Sequence, residues 1–298
     1  MNKLVVKDNS LIDASFNLSL VEHRIMLLAI VEARDVFNLT CETALEIKAV
    51  TYKEQFTVDD SEVYQQLKDA GKTLKRREFT YLDKYKGIEA YSTVNWVNKI
   101  TYVPKKGMIV LKLSADVIDM ITRLETHFTK YYLNQVSNFK SKYALRLYEL
   151  LMKWSANGLT QKYEIQDLRK KLGILDNEYK STAYLKRDVL EKSIQEINLK
   201  TDLKVSYEHF KQGRSISHIR FKIATDKQKQ IDKPLIQLSP KQIDMFSDKL
   251  SNLQSFQNHY QADVGASREQ YKQQIAVKLQ DHFYVDAWQS FLSEVGYR

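Results

Sequence analysis

The chain has 298 residues, of which 43% are hydrophobic, and a formal net charge of +9 at pH 7. Its length is enough for two domains and a smaller appendage, and its composition is that of a globular protein. A single cysteine, Cys41, excludes a disulfide framework and a thiolate zinc site. No apolar run approaches the roughly 18 residues of a membrane span, and the charged N-terminal segment differs from the apolar core of a secretion signal, so we expect a cytoplasmic protein.

The positive charge is concentrated in one part of the chain. Residues 1–130 contain 19 basic and 18 acidic side chains, residues 131–225 contain 18 and 10, and residues 226–298 contain nine of each. The segment 131–225 therefore carries almost the whole excess. A local excess of this size favours binding to phosphates, but it specifies neither a fold nor a nucleotide sequence, and a solvated basic face is the alternative.

Residues 1–130 begin with two predicted helices. Ser19 and Glu22 have the spacing of a capping box, and apolar residues follow them at helical intervals. The second helix is predicted over residues 61–74. Its Gly71-Lys72-Thr73 ends like a phosphate-binding P-loop, but Gln66 stands where that motif needs a glycine, so we interpret Gly71 as the terminator of the helix.

Strand-forming residues extend from Phe79 to Leu113, and a short helix is predicted after them over residues 115–124. Between two of these strands, Pro104-Lys-Lys-Gly predicts a turn with Lys105 and Lys106 at its tip. Helices followed by a hairpin and a closing helix predict a first winged-helix domain over residues 1–130. Its basic turn is a candidate DNA contact.

Residues 131–225 show the same order of elements more clearly. Ser141 precedes an apolar-rich helix, a short amphipathic helix ends at Gly173, and a longer helix covers residues 181–197. Two runs of alternating apolar and polar residues then flank a Lys211-Gln-Gly-Arg turn. Two helices followed by a two-stranded ribbon are typical of a winged helix-turn-helix domain that binds double-stranded DNA. The predicted fold class is therefore α+β, with two tandem winged-helix domains and a short helical C-terminal tail.

Candidate DNA contacts lie on the longer helix and at the tip of the ribbon. In this fold the N-terminal half of the second helix reaches base edges in the major groove, and the ribbon follows the backbone. Arg187 suits a bidentate contact to guanine, Tyr184 a thymine methyl group or a phosphate, and Lys186 a phosphate. For each of them a purely solvated polar face is the alternative. The full set of candidate contacts in this domain is Lys180, Ser181, Tyr184, Lys186, Arg187, Lys211 and Arg214.

Four segments carry a resemblance to a known family. They are Ser141-Lys-Tyr-Ala-Leu-Arg-Leu-Tyr-Glu-Leu-Leu, the segment from Tyr163 to Ile174, the segment from Leu185 to Asp202, and the segment from Lys211 to Ile223. These resemble the plasmid replication initiator Rep family of the iteron-binding RepA, RepE and RepB type. The N-terminal segment of the chain, which contains Leu18-Ser-Leu-Val-Glu-His-Arg, is similar to Rep proteins of small Acinetobacter-type plasmids and of related circular DNAs isolated from cattle. This chain has Asp188 where the family often has a second basic residue.

The resemblance implies that the two domains have different roles. The first domain would serve dimerisation and assist DNA contact, and the second would read the repeated origin sites called iterons. Monomers would start replication with host replication proteins, whereas dimers would repress the rep gene. The resemblance implies neither catalysis nor a cofactor.

Two alternatives remain open from the sequence. A winged-helix transcription repressor needs only one such domain, and the strands and helices of residues 1–130 speak against it. A rolling-circle nicking initiator needs a His-x-His metal motif, and no two of the six histidines have that spacing. Residues 226–298 read as a linker and a helical tail of unknown role, which either docks a host factor through Met245, Phe246, Phe283 and Trp288 or caps the second domain.

Overall fold

The computed structural model describes residues 3–34, 36, 38–58, 63–122, 127–225, 238–262, 266–281, 284–285 and 288–297. These residues belong to two compact units, 1–227 and 228–298. Each unit has a hydrophobic core of its own. The larger unit contains both predicted winged-helix domains.

The first winged-helix domain is built from five helices and eight strands among the described residues. Helices α1 to α5 cover Asn9–Asp13, Leu20–Arg34, Ala49–Phe56, Val63–Leu74 and Ala115–Thr122. Strands β1 to β8 cover Leu4–Asp8, Ser15–Phe16, Leu45–Lys48, Glu78–Tyr85, Ile88–Asn95, Val97–Val103, Met108–Leu113 and Phe128–Tyr132. The winged-helix order is α2, β3, α3, α4, β6 and β7, with the sheet order β3-β7-β6. The hairpin β4–β5 is inserted between α4 and β6 and forms a separate sheet with β2.

The predicted capping box at the start of α2 is confirmed. The Ser19 amide donates to Glu22 Oε2 over 2.6 Å, and the Glu22 amide donates to Ser19 Oγ over 3.2 Å. The prediction that Gly71 ends its helix is wrong, because Gly71 is buried inside α4. A Cβ atom at this position would lie 3.3 Å from the ring of Tyr102 on β6. The glycine therefore serves the close approach of α4 to the sheet.

The second winged-helix domain repeats this order. Its helices and strands are α6 (Leu133–Val136), α7 (Lys142–Met152), β9 (Tyr163–Glu164), α8 (Ile165–Lys171), α9 (Thr182–Tyr184), a π-helical stretch (Leu185–Glu191), α10 (Lys192–Lys200), β10 (Leu203–Gln212) and β11 (Ser215–Thr225). The sheet order β10-β11-β9 corresponds to β6-β7-β3 of the first domain. The predicted α+β fold with two tandem winged-helix domains is confirmed.

The two winged-helix domains share one continuous hydrophobic core. The boundary predicted at residue 130 falls inside β8, which pairs antiparallel with β1 at the start of the chain. At the junction, the guanidinium of Arg146 on α7 donates to the carbonyl oxygens of Ile12 and Ala14 in the first domain and of Lys171 in the second. Gly173, with φ +69°, lies so close to the Phe16 carbonyl that a side chain there would clash.

A buried cluster of charged side chains lies beneath this junction. The Glu149 carboxylate accepts hydrogen bonds from Lys7 Nζ at 2.6 Å, the Tyr131 hydroxyl at 2.6 Å and Arg146 Nη1 at 3.2 Å. His23 Nε2 lies 3.3 Å from the same carboxylate. Burial alone would raise the pKa of Glu149, but the attraction of the cations Lys7 and Arg146 outweighs it and holds this pKa well below its usual value. Burial lowers the pKa of His23, so this imidazole is neutral at pH 7.

The smaller unit consists of helices around an aromatic core. Its helices α11 to α14 cover Pro240–Ser251, Gln254–His259, Arg268–Leu279 and Gln289–Glu294. Phe246 and Trp288 are buried in this core, so the hypothesis that they dock a host factor is wrong. Met245 is partly exposed, and Phe283 lies outside the described residues. A folded unit thus stands where the sequence predicted a helical tail.

Removing the charge of Glu149 should destabilise the protein. Glu149→Gln preserves the shape of the side chain but leaves Lys7 and Arg146 as buried cations without a counter-charge. We expect the free energy of unfolding, measured by urea denaturation, to fall by about 3–5 kcal/mol. Adding Lys7→Met should restore part of the loss, because it removes one uncompensated charge. A loss no larger than the roughly 1 kcal/mol of an exposed ion pair would contradict the anchoring role of Glu149.

Candidate nucleic-acid interface

The candidate recognition helix of the second domain is continuous from α9 through the π-helical stretch into α10. Ser181 caps its N-terminus by accepting a hydrogen bond from the Ala183 amide over 3.2 Å. An apolar stripe fixes one side of the helix to the core and leaves the other side to solvent. The buried residues of this stripe are Leu185, Val189, Leu190, Ile194 and Ile197.

The predicted contact residues occupy the solvent side of the N-terminal half of this helix. Lys180, Ser181, Tyr184 and Arg187 are exposed, and Lys186 is half-buried. The Lys186 ammonium lies 5.8 Å from the centre of the Tyr207 ring on β10. The helix therefore presents hydroxyl, aromatic and cationic groups together, a combination suited to base edges and phosphates.

Arg187 is held by two neighbours. Its Nε donates to Asp188 Oδ1 at 3.2 Å, and its Nη2 donates to Asp188 Oδ2 at 2.7 Å. The guanidinium also lies over the Tyr184 ring, 5.0 Å from its centre. Lys192 pairs with Asp188 Oδ1 at 3.0 Å from the next turn of the helix. Hydrogen bonds from Arg187 and Lys192 lower the pKa of Asp188 to about 2, so this carboxylate is ionised at pH 7.

The wing of the second domain is the β10–β11 hairpin. Lys211 and Arg214 are exposed at its tip, on either side of Gly213, which adopts a φ of +62°. The strand register shifts between Phe210 and Lys211. Pairing continues beyond this irregularity to Gln212 and Ser215, so Lys211 lies at the end of β10 and Arg214 in the turn.

The structure adds two cations to the wing that sequence reasoning missed. Lys162 Nζ lies 4.2 Å and the Arg220 guanidinium 5.5 Å from the centre of the Phe210 ring. Lys162 precedes β9, far from the wing in sequence, and reaches it because β9 pairs with β11. Only the sheet topology brings these groups together.

The first domain has a basic wing of its own. Lys105 and Lys106 are exposed in the turn Pro104–Lys106 between β6 and β7. The exposed Lys75 and Arg76 directly follow α4, which occupies the place of a recognition helix in this domain. Sequence reasoning missed this second pair, because the inserted β4–β5 hairpin obscures which helix and which ribbon form the domain.

Two other features are absent from the part of the chain that the structure describes. There, no group of three or more His, Cys, Asp or Glu side chains is placed to hold a metal ion. None of the described helices is long and apolar enough to cross a membrane.

Each of the two domains has a solvent-exposed helix beside a ribbon with a basic tip. This arrangement defines a winged-helix DNA-binding protein. Comparison with known families specifies this class further. The description "Initiator Replication protein, WH1" matches residues 4–152, and "Initiator Rep protein, WH2" matches residues 164–223. The chain belongs to the initiator Rep protein family, and the resemblance seen in the sequence is confirmed.

Individual proteins that this chain resembles are also replication initiators. The chain is 26% identical over 239 residues to the PI protein of Escherichia coli, covering 70% of this chain and 78% of that protein. It is 26% identical over 166 residues to a replication initiation protein of Escherichia coli, covering 55% and 50%. The crystal structure of the Pi initiator protein in complex with iteron DNA matches with a TM-score of 0.63 and 25% identity, covering 76% of this chain and 98% of that chain.

Proposed function

We propose that this protein initiates plasmid replication by binding direct repeats in the origin, promoting duplex opening and recruiting host replication proteins. The observation that carries the proposal is the pair of winged-helix domains, matched in sequence to the initiator family and in fold to an initiator bound to iteron DNA. The concentration of positive charge in residues 131–225 supports the same function, because neutralising phosphates drives DNA binding.

In this proposal the second domain reads sequence and the wings hold the backbone. Arg187 contacts a guanine, and Tyr184 contacts a thymine methyl group or a phosphate. The remaining cations bind phosphates, and Ser181 orients the end of the helix toward the DNA. These phosphate-binding residues are Lys180, Lys186, Lys211 and Arg214 in the second domain and Lys105 and Lys106 in the first.

Base reading and backbone binding predict different outcomes for substitutions. Arg187→Ala should cost about 1–3 kcal/mol at the preferred site and relax selectivity at one base pair, with little effect on random DNA. Lys211→Ala or Arg214→Ala should weaken binding to all sequences alike, and each should reduce the salt slope by roughly 0.9. Fluorescence anisotropy titrations at several salt concentrations measure both quantities.

Lys241→Ala is the matched control, since Lys241 is exposed on α11 of the separate smaller unit. It should leave both affinity and salt slope unchanged, and circular dichroism checks the folding of each variant. Equal losses on preferred and random DNA after Arg187→Ala would rule out base reading by this helix face.

We further propose that the protein dimerises through the β4–β5 hairpin. Leu82, Tyr85, Ile88 and Tyr91 are 53–74% exposed on it. Leu82 pairs with Tyr91 and Tyr85 with Ile88 across the two strands, so apolar pairs lie on both faces of the hairpin. The strand β5 is also the edge of its sheet. An apolar hairpin with an open edge suits pairing with a second copy.

Self-association should therefore depend on this hairpin. Ile88→Lys and Tyr91→Lys place a charge in the apolar surface, and we expect either to shift sedimentation velocity profiles from dimer toward monomer. Val50→Lys is the control, because Val50 is a similarly exposed apolar residue on α3. A wild-type protein that remains monomeric up to high micromolar concentration would refute this interface.

The smaller unit should contribute little to DNA affinity. Residues 228–298 carry eight basic and eight acidic side chains, so they add no net charge to counterion release. Ending the chain after Lys227 removes this unit and leaves the larger core complete. We expect the affinity for DNA to change by less than about twofold. A tenfold loss would show that the smaller unit takes part in binding.

The two other functions considered from the sequence are distinguished by simple assays. A nicking initiator relaxes supercoiled origin DNA in Mg²⁺ or Mn²⁺ and forms a covalent adduct, and we expect neither. A repressor without an initiator role occupies its operator but leaves the origin duplex closed. Permanganate reactivity of unpaired thymines in supercoiled origin DNA should rise on addition of this protein, and unchanged reactivity would contradict initiation by duplex opening.

A further inference from the structure

We infer that Asp188 is a positioning residue that determines the base preference of Arg187. The inference rests on the proposed function, in which Arg187 contacts a base, and it concerns how that contact is prepared. Arg187 donates two hydrogen bonds to the carboxylate of its neighbour Asp188.

The geometry of this pair leaves a defined part of the guanidinium available. A guanidinium has five N–H donors in a rigid plane, and Asp188 accepts one from Nε and one from Nη2. The donors that remain include one on Nη1 and one on Nη2 that point along the outer edge, parallel to each other. These two donors match the O6 and N7 acceptors of guanine in the major groove. Asp188 thus binds the edge of the guanidinium formed by Nε and Nη2. The edge formed by Nη1 and Nη2, which matches guanine, stays available for a base.

Two further contacts restrict the orientation of the guanidinium. The Tyr184 ring lies against its face, with 5.0 Å between the guanidinium carbon and the ring centre. Lys192 fixes the carboxylate from the other side through Oδ1 at 3.0 Å. The Arg187 side chain remains 64% exposed, so it is oriented without being buried. An oriented guanidinium loses less conformational freedom on binding, and a wrongly placed base meets a donor pair that cannot turn to suit it.

The carboxylate also has a cost that makes the inference testable. A negative charge on the DNA-facing side of the helix repels phosphates, so Asp188 lowers the affinity for every DNA sequence. If this helix only contacted the DNA backbone, an amide at position 188 would give higher affinity than the carboxylate of Asp188. Asp188 should therefore weaken general binding while it strengthens discrimination between bases, and these two effects have opposite signs in one variant.

The test uses the full chain and two DNA probes. One probe is the duplex that the wild-type protein selects from a random pool, together with the three alternatives at each base pair. The other probe is a random-sequence duplex. Asp188→Asn should raise affinity for the random duplex by about twofold. It should also reduce the preference for guanine at the position read by Arg187, from roughly tenfold to less than about threefold. Glu191→Gln, on the same helix, is the matched loss of charge and should raise all affinities alike without changing the preference.

Arg187→Ala and the double variant distinguish this inference from the proposed function. If Arg187→Ala leaves all base preferences unchanged, base reading by Arg187 is wrong. If Arg187→Ala abolishes a preference that Asp188→Asn leaves intact, or if Asp188→Asn only raises all affinities as Glu191→Gln does, the positioning role of Asp188 is wrong. In the Arg187→Ala background, Asp188→Asn should have no further effect on preference. A further loss there would mean that Asp188 contacts a base itself, and this would also overturn the inference.

Discussion

The arrangement of the two winged-helix domains depends on the buried ion cluster around Glu149. A carboxylate without exposure to water is tolerated only when cations and hydrogen-bond donors surround it, and here Lys7, Arg146 and Tyr131 supply them. Lys7 lies on β1, the first strand of the chain, and Glu149 lies on α7 of the second domain. The cluster thus fixes the start of the chain to the beginning of the second domain.

The junction transmits this constraint to the DNA-binding surface. Arg146 pairs with Glu149 and also binds carbonyl groups of both domains, so the ion cluster and the domain contact share one side chain. Gly173 ends α8 against the backbone of Phe16, in a position without room for a side chain. The helix before the recognition helix is therefore packed on the first domain. Two winged-helix domains that share a core hold their candidate contact surfaces at a fixed separation.

Charged side chains have different roles in the interior and on the surface. In the interior, Lys7, Arg146 and Glu149 have partners in fixed positions and join the two domains. On the recognition helix, charges lie in water, where a single ion pair adds little stability. The value of the Arg187–Asp188 pair is therefore orientation rather than stability. The exposed apolar side chains of the β4–β5 hairpin form the surface that we propose for pairing with a second copy of the chain.

The sequence by itself determined the fold class and the family, and it predicted where a DNA-binding face would lie. These features have local signals: the helical and strand periodicities, the capping box at Ser19 and the basic turns. Local signals can be recognised in the sequence without the tertiary structure. The sequence did not reveal the place of Gly71 inside α4, because a glycine that ends a helix and one that admits a neighbouring ring look alike. The sequence leaves open whether Phe246 and Trp288 form a docking surface, because no local signal distinguishes an exposed aromatic residue from one in a small separate core. The contacts of Glu149, the approach of Lys162 to the wing and the sharing of one core by two domains join residues far apart in the chain, and only the tertiary structure decided them, because it alone brings those residues together.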